Sequence, residues 1–496
     1  MNLDLERGSP TPLHLQIARG LRERILRGAI PAGARLPASR KMAEALGVNR
    51  STVVQAYQTL WSEGLTEGFV GRGTVVRPSV AAAGAPVPSP PWGALFAAGR
   101  EQADGEVRDL VRLLAREDVI SLAAGLPAPD LFPMDELADI ARAVLEGGGR
   151  SLLYWCDTLG YEPLRKALAD RFTNTAPGEV MILSGSSQGI FLVARALIEP
   201  GDTVAVGSPT YLGAIQAFRG AGARLAAVPV NHGGMDLDIL ESVLSRTPPK
   251  FIYTVPTFQN PTGSTMPLES RRRLLDLAYR YGVPIVEDDP YTPLRYEGNP
   301  VPTLKELDTQ GFVIHLSSFS KILFPGLRVG WMAAPKRVID AITPAKYLQD
   351  LFTNSHAQAV VYEFCRRGLL DRHLEKVRRE YGRRRDRMAN SLGRHCPRFE
   401  FTIPEGGYFL WCRLPRGIGA RELLRESLRK KVSFITGEIF CPDGQGRDRI
   451  RLNFASHGLE TIEEGVRRLG AASRSIQKRG VRKPAPSEEA PASPIV

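Results

Sequence analysis

The sequence predicts a multidomain chain: a small, helix-rich α+β unit first, then a much larger α/β unit built on a mainly parallel sheet. Three observations predict it. Its 496 residues exceed what one hydrophobic core ordinarily organises. Residues 77–93, "RPSVAAAGAPVPSPPWG", have the Pro, Ala, Ser and Gly composition of a linker between folded units. The apolar pattern also changes across that stretch, from helical spacing before it to short apolar runs alternating with amphipathic segments after it. The implied boundaries are 1–77, a linker at 78–99, a body over 100–472 and a disordered, partly basic tail over 473–496. Within the body the expected large part is about 150–344, and the smaller part combines about 100–149 with 345–472. Hydrophobic residues make up 43% of the chain and charged residues 24%, ordinary for a globular protein. No apolar run reaches the roughly 20 residues that span a bilayer. The opening "MNLDLERGSPTPLHLQ" has no apolar core of signal-peptide type, so a cytoplasmic protein is expected. The 5 cysteines are scattered without a CxxC pair, which suggests neither a disulfide framework nor a zinc site. The net charge of +12 permits nucleic-acid binding without requiring it.

In the small unit, Leu13, Ile17, Leu21 and Ile25 recur every fourth residue, the stripe of a first helix. After the breaking stretch "GAIPAGARLP", Ser39 reads as the N-cap of a short second helix that turns Met42, Ala43 and Leu46 inward. Gly47 ends it. Asn49 reads as the cap of a third helix with Val53, Ala56, Tyr57 and Leu60 on its apolar face. "LTEGFVGRGTVV" then reads as a hairpin turning at Gly71-Arg72-Gly73. Helix, short helix, glycine turn, helix and hairpin make a winged helix-turn-helix, whose third helix offers its N-terminal residues to the major groove of DNA. Those residues are Asn49, Arg50, Ser51 and Thr52. Arg40 on the second helix and Arg72 at the hairpin tip are further candidate contacts. Residues 1–77 carry 11 basic and 6 acidic residues, a net +5. A small helical protein-interaction domain with a solvated basic face would have the same composition. The wording narrows this: "GARLPASRKMAEALGVNRSTVVQAY" and the "GRGTVV" wing resemble the DNA-binding domain of GntR-type bacterial regulators over nearly the whole unit.

In the large unit, the runs "EVMILSGS", "DTVAVGSP", "KFIYTVP", "VPIVEDD" and "FVIHLSS" alternate with helical segments such as "SQGIFLVARALI". That alternation implies a mainly parallel sheet covered on both faces, whose ligands lie beyond the carboxyl ends of the strands. The polar groups expected at those ends are specific. Ser184 to Gln188 open a helix, where small residues let backbone N–H groups approach an anion. Tyr211 follows the second run. Asn260 follows the third, in "QNPTG", where turn chemistry is the plain alternative. Glu287, Asp288, Asp289 and Tyr291 follow the fourth; carboxylates alone could bind metal, but no histidine accompanies them. Ser317, Ser318, Ser320 and Lys321 follow the fifth, and Arg328 comes seven residues after the lysine. Each motif alone has a bland structural reading. Together they describe a pyridoxal 5′-phosphate site. A lysine bonds to the aldehyde, a carboxylate holds the proton on the ring nitrogen, and serines with an arginine grip the phosphate.

In order and wording these motifs resemble fold-type I aminotransferases of class I and II over roughly residues 100–470. The resemblance implies that Lys321 in "SFSK" is the lysine that bonds the cofactor. It places Asp288 at the ring nitrogen, Tyr291 and Asn260 at the 3′-oxygen, and Tyr211 stacked on the ring. The catalytic set is then Lys321, Asp288 and Tyr211. Ser186, Ser187, Ser318, Ser320 and Arg328 are implied to bind phosphate, and Tyr154 to reach the phosphate of a partner subunit. Arg451 in "RIRLNFA" is implied to grip a substrate α-carboxylate, and Gly125 lies where an N-terminal segment covers the substrate.

A GntR-type head joined to an aminotransferase-like body is the arrangement of the MocR subfamily of bacterial transcriptional regulators, and the chain resembles that subfamily. The resemblance implies a homodimer, a double-stranded operator, and an amino acid, an amine or the cofactor itself as effector. One departure stands out: many members read "EDDYD" where this chain reads "EDDPY", closer to 2-aminoadipate-type aminotransferases. A working aminotransferase with a DNA-binding head is therefore the alternative expectation.

Overall fold

The computed structural model describes residues 3, 5–9, 11–69, 73–77, 118–173 and 175–481, and the chain divides into two compact units, Met1–Ala98 and Gly99–Val496. The expected linker at 78–99 and Arg72 lie outside the described residues.

The first unit contains helices α1 (Leu13–Leu26), α2 (Ser39–Leu46) and α3 (Arg50–Ser62), followed by strands β1 (Thr66–Phe69) and β2 (Gly73–Val76). The strands pair antiparallel, with Phe69 opposite Gly73. One apolar cluster holds the helices to the hairpin, with Ile17 and Leu21 from α1, Met42 from α2, Val53, Tyr57 and Leu60 from α3, and Val76 from β2. Gly47 ends α2 in the left-handed region at φ 62°, which glycine adopts without a Cβ penalty, and this turns the chain into α3. Arg22 of α1 clamps Glu63 just past α3 with two hydrogen bonds, one of 2.9 Å. The Tyr57 hydroxyl donates to the Pro37 carbonyl at 2.7 Å. One detail differs from expectation. Ser39 is the first residue of α2 and Ala38 stands at the cap; the Ser39 hydroxyl is turned instead toward the Arg50 guanidinium, 3.4 Å away.

The second unit is organised by an eight-stranded sheet. Its order is Val180–Leu183, Gly330–Ala333, Val313–Ser318, Ile285–Asp288, Ile252–Thr254, Thr203–Ser208, Arg224–Asn231, Gly234–Met235. The five strands from Val313–Ser318 to Arg224–Asn231 run parallel. Gly330–Ala333 runs antiparallel between Val313–Ser318 and Val180–Leu183, which returns Val180–Leu183 to the direction of the parallel set. Six strands therefore send the loops that follow them to one edge. Separate apolar clusters cover the two faces: Leu192, Phe218 and Ile339 with their neighbours on one, Leu240, Leu274 and Leu277 with theirs on the other. A four-stranded antiparallel sheet, Glu400–Phe401, Phe409–Arg413, Arg449–Asn453 and Ile435–Thr436, lies among the helices Leu369–His395, Ala420–Arg429 and Leu459–Val481.

Two expected boundaries move. The division at residue 344 falls inside the helix Lys336–Asp350. That helix is tied to the sheet edge: Lys346, fully buried, pairs with Asp350 at 2.8 Å, and Asp350 accepts from Ser184 and Gln188. The tail expected from Ser473 instead begins as helix through Val481, because the buried stripe Ile462, Val466, Leu469 continues to Ala472 and Ile476. Among the described residues, no helix is long and apolar enough to cross a membrane.

Candidate cofactor site

The loops at the sheet's carboxyl edge enclose a cavity of about 420 Å³. It is lined by Lys321, Asp288, Tyr211, Asn260, Tyr291, Ser186, Ser187, Ser318, Ser320, Arg328, Gly125 and Arg451. The structure thus brings together residues separated by more than three hundred positions in sequence. It does not bring Tyr154 to its own chain's cavity: Tyr154 ends the helix Met134–Tyr154 and is 87% exposed.

Asp288 ends its strand and is 4% exposed. One carboxylate oxygen, Oδ2, accepts from the Tyr253 hydroxyl at 2.7 Å. The other, Oδ1, is buried with no partner. Burial pushes the Asp288 carboxyl up to about 6, opposed by the Tyr253 hydrogen bond, because desolvation disfavours the charged form. Its two neighbours face elsewhere. Glu287 accepts from the backbone N–H of Leu304 and Lys305 and lies 2.9 Å from His315 Nδ1, while Asp289 accepts from Thr292. Three consecutive carboxylates therefore go to three places, and among the described residues no group of three His, Cys, Asp or Glu could hold a metal ion.

Lys321 closes a turn capped by Ser318, whose hydroxyl accepts from the Ser320 N–H at 3.0 Å. Ser318 Oγ also reaches the Val329 carbonyl at 3.4 Å, so this hydroxyl is engaged in the turn. Burial pulls the Lys321 amine down to about 8, with Arg451 and Arg328 acting in the same direction and Asp288 opposing. Nζ donates to the Gly125 carbonyl at 2.6 Å, and the Lys321 carbonyl accepts from the buried Tyr408 hydroxyl.

A cradle of small residues lies beside the lysine. Ser186 and Ser187 open the helix Ser186–Leu197, whose free N–H groups and dipole favour an anion. Arg328, held in the left-handed region at φ 54°, donates to the Ser184 carbonyl at 2.9 Å and toward Ser320 Oγ at 3.3 Å. Gly185 and Gly330 are required here. A Cβ on Gly330 would lie 2.8 Å from both Gly185 C and Ser186 N, and Gly185 has φ 89°. Burial raises the Tyr211 phenol, and the Ser187 side chain opposes this.

On the opposite wall, the Arg451 guanidinium lies 4.2 Å from the Phe409 ring centroid and 4.9 Å from that of Phe440. It donates to Asn260 Oδ1 at 2.8 Å and to the Ala123 carbonyl at 2.7 Å. Its Nε is buried without a partner. Burial pulls this guanidinium down to about 10. Beside it runs a strap in which four consecutive carbonyls accept from side chains: Ala123 from Arg451, Ala124 from Asn453, Gly125 from Lys321 and Leu126 from Ser456.

These features fit pyridoxal 5′-phosphate. The unpartnered Asp288 oxygen needs one N–H donor, as a protonated pyridine ring supplies. The glycine cradle with Arg328 suits a phosphate, and Lys321 is a lone amine with depressed basicity in the same cavity. Several supporting residues were not singled out by sequence reasoning: Tyr253, Tyr408, Gly330, Asn453 and the fully buried Arg271. Arg271 ties the loop before Asn260 by donating to the carbonyls of Pro256, Met266 and Pro302. Tyr253 carried one usable signal, a hydroxyl inside an otherwise apolar buried strand, which must find a partner.

In the first unit, Arg40, Asn49, Arg50 and Ser51 are exposed at the adjoining ends of α2 and α3, and Thr52 is half-buried. Residues 13–76 match the family of bacterial regulatory proteins of gntR type, and residues 117–469 match aminotransferase class I and II. The probable rhizopine catabolism regulatory protein MocR of Rhizobium meliloti is 31% identical, over 99% of this chain and 99% of that protein. The aromatic-amino-acid aminotransferase 1 of Thermococcus litoralis is 40% identical, over 75% of this chain and 92% of its own length. The crystal structure of the α-aminoadipate aminotransferase LysN from Thermus thermophilus, complexed with N-(5′-phosphopyridoxyl)-L-leucine, is 39% identical. It superposes with a TM-score of 0.74 over 78% of this chain and 99% of that one.

Two outcomes are expected. Gly330→Ala pushes its Cβ into backbone at the cradle, so the variant should fold yet bind pyridoxal 5′-phosphate at least about tenfold more weakly, read by absorbance titration. Unchanged affinity would remove the cradle from the phosphate site. The second outcome concerns Asp288. Its folded value lies above the ordinary 3.8, so its stabilising contribution to cofactor-free protein is complete below the ordinary value and is lost as pH rises through about 6. Thermal unfolding midpoints of cofactor-free wild type should fall across that window more steeply than those of Asp288→Asn. Parallel profiles would contradict the assignment.

Proposed function

Because the chain belongs to the MocR subfamily of GntR-type transcriptional regulators, we propose that an amino acid or amine bearing a carboxylate enters the cavity and changes how the winged helix-turn-helix unit binds its operator. The chain is a DNA-binding regulator whose cofactor is pyridoxal 5′-phosphate. The observation that carries the proposal is the buried Arg451 guanidinium with an open Nε, set in the same cavity as Lys321. A guanidinium can hold a carboxylate through two parallel N–H bonds.

The bound cofactor supplies a reactive aldehyde and an electron sink. Lys321 provides the amine that bonds it. Asp288 Oδ1 would accept from the ring nitrogen, with Tyr253 fixing the carboxylate's orientation. Tyr211 would stack on the ring, and Asn260 and Tyr291 would meet its 3′-oxygen. Ser186, Ser187, Ser320 and Arg328 would hold the phosphate, with Ser318 shaping the turn that presents them. Gly125 lies in the strap that covers the ligand. Homodimer formation is supported by the consecutive exposed apolar side chains Leu153, Tyr154 and Trp155, which suit burial against a second copy. There Tyr154 would reach the partner's phosphate. On DNA, Asn49, Arg50 and Ser51 offer donors to base edges and Arg40 and Arg72 serve phosphates.

A second reading, completed transamination, is favoured by Lys321. An amine pulled down to about 8 exchanges protons readily near neutral pH, and release of a 2-oxo acid from an added amino acid would show it.

The test measures affinity for an operator fragment selected from genomic DNA. Arg50→Ala should weaken binding by about 1–3 kcal/mol, and wild-type affinity should fall steeply with salt. Salt-independent binding would make the basic unit merely solvated. Amino acid should shift wild-type operator affinity, and Arg451→Ala should abolish that shift while keeping the yellow colour and basal DNA binding. An Arg451→Ala protein that responds like wild type would direct attention to the cofactor itself as signal.

A further inference from the structure

The phosphate cradle is aimed by groups that do not themselves line the cavity. Ser184, the residue before the cradle's Gly185, has each of its polar groups held. Its N–H donates to Gln188 Oε1 at 2.7 Å, its hydroxyl donates to Asp350 Oδ2 at 3.0 Å, and its carbonyl accepts from Arg328 at 2.9 Å. The Gln188 amide is oriented in turn. Its Nε2 donates to Asp350 Oδ2 at 2.9 Å and to Gln349 Oε1 at 3.0 Å, which leaves Oε1 for Ser184. Asp350 is the centre of this network. Its other oxygen accepts from Lys346 Nζ at 2.8 Å, and the fully buried Lys346 also donates to Thr353 Oγ1 at 3.2 Å. Burial would raise the Asp350 carboxyl, but hydrogen bonds from Lys346, Gln188 and Ser184 hold it below its ordinary value, so it is an anion at neutral pH. The Arg328 guanidinium packs so closely on Gly185 that a Cβ there would clash with it. A rotation of the Ser184 peptide would therefore displace both the helix start and the arginine.

Resting on the reading of this cradle as the phosphate site, we infer that Asp350, held by Lys346, is a positioning residue for the cofactor's phosphate. It gives the site its preference for a phosphorylated aldehyde over the unphosphorylated one. Donors fixed before binding grip an anion without an ordering cost at the moment of binding. Pyridoxal, which lacks the phosphate, bonds Lys321 and meets Asp288 without using those donors, so it is indifferent to Asp350. Charge alone makes the opposite forecast: Asp350 is an anion behind the cradle, and its removal would favour a second anion by Coulomb's law. The sign of the change therefore separates positioning from simple electrostatics.

The experiment uses the full-length protein freed of cofactor. It is titrated with pyridoxal 5′-phosphate and with pyridoxal while the absorbance of the lysine-bound aldehyde is followed. Wild type should hold the phosphorylated compound more tightly. In Asp350→Asn the amide cannot accept from Lys346, Ser184 and Gln188 together. Its affinity for pyridoxal 5′-phosphate should fall at least about tenfold, the scale of one hydrogen bond to a charged group, while its affinity for pyridoxal stays within about twofold. The phosphorus resonance of the bound cofactor should also move toward that of the free compound, which lower fold stability alone would not produce. Asp350→Asn leaves the buried Lys346 short of its counter-ion, so Ser184→Ala is the second variant. It keeps the ion pair and should lower the preference for the phosphorylated compound about threefold or more. Unchanged or tightened binding of pyridoxal 5′-phosphate in Asp350→Asn, or equal losses for both compounds, would overturn the inference. Should that variant fail to fold, an unchanged preference in Ser184→Ala overturns it. A wild type that holds both compounds equally would strike the phosphate reading of the cradle, and the inference with it.

Discussion

A carboxylate sealed from water with one oxygen satisfied and one left open governs the second unit. The Tyr253 hydroxyl fixes Asp288 from behind, and Oδ1 is turned to the cavity without a partner. Such an arrangement is unfavourable in isolation. It persists because the carboxylate ends a fully buried strand between two parallel neighbours, whose packing over-determines its position. The same logic applies to Lys321 and Arg451, both buried cations shifted downward by desolvation. The cavity is lined by four charged groups, Asp288, Lys321, Arg328 and Arg451, an excess of positive charge that suits an anionic, protonated-ring ligand. That is preorganisation, with the ordering cost met during folding rather than at binding.

How the sheet supplies this arrangement is geometric. Parallel strands deliver their following loops to one edge, and the antiparallel insertion of Gly330–Ala333 brings a glycine back to that edge from the opposite direction. At residue 330 only hydrogen leaves room for the backbone of Gly185 and Ser186. The serine turn, the helix start and the arginine thus converge through a backbone contact, with side chains added on top of it.

Much of this was legible in the sequence. Apolar runs ending in polar clusters marked both the strands and the carboxyl edge, and the motif residues proved to share one cavity, apart from Tyr154. The helices and wing of the first unit followed from four-residue spacing and from glycines. What escaped was of two kinds. Tyr253, Tyr408 and Arg271 act through long-range contacts to groups that lie in other loops, and local pattern carries no record of a partner. Boundaries drawn from composition also failed. Lys346 reads as a surface residue but is buried against Asp350, which carries its helix past residue 344. Ile476 continues an apolar stripe through residues rich in Arg and Ser. Ser318 shows a third limit: a hydroxyl can line a cavity and still be committed to its own turn.

The strap of Ala123 to Leu126 bears on ligand recognition in a further way. Its carbonyls occupy Arg451 and Lys321, the two groups assigned to a ligand's carboxylate and to the cofactor. The strap is therefore an internal competitor, a tethered peptide whose carbonyls hold these donors at high effective concentration. Any molecule that recruits those donors weakens the strap's hold in proportion to its own affinity, and any stiffening of the strap weakens the molecule equally, since coupling between two binding events is reciprocal. The strap continues back through Ile120 and Ser121, which pair with Val432 and Ser433, so its hold on these donors is anchored to the same part of the unit that carries Arg451.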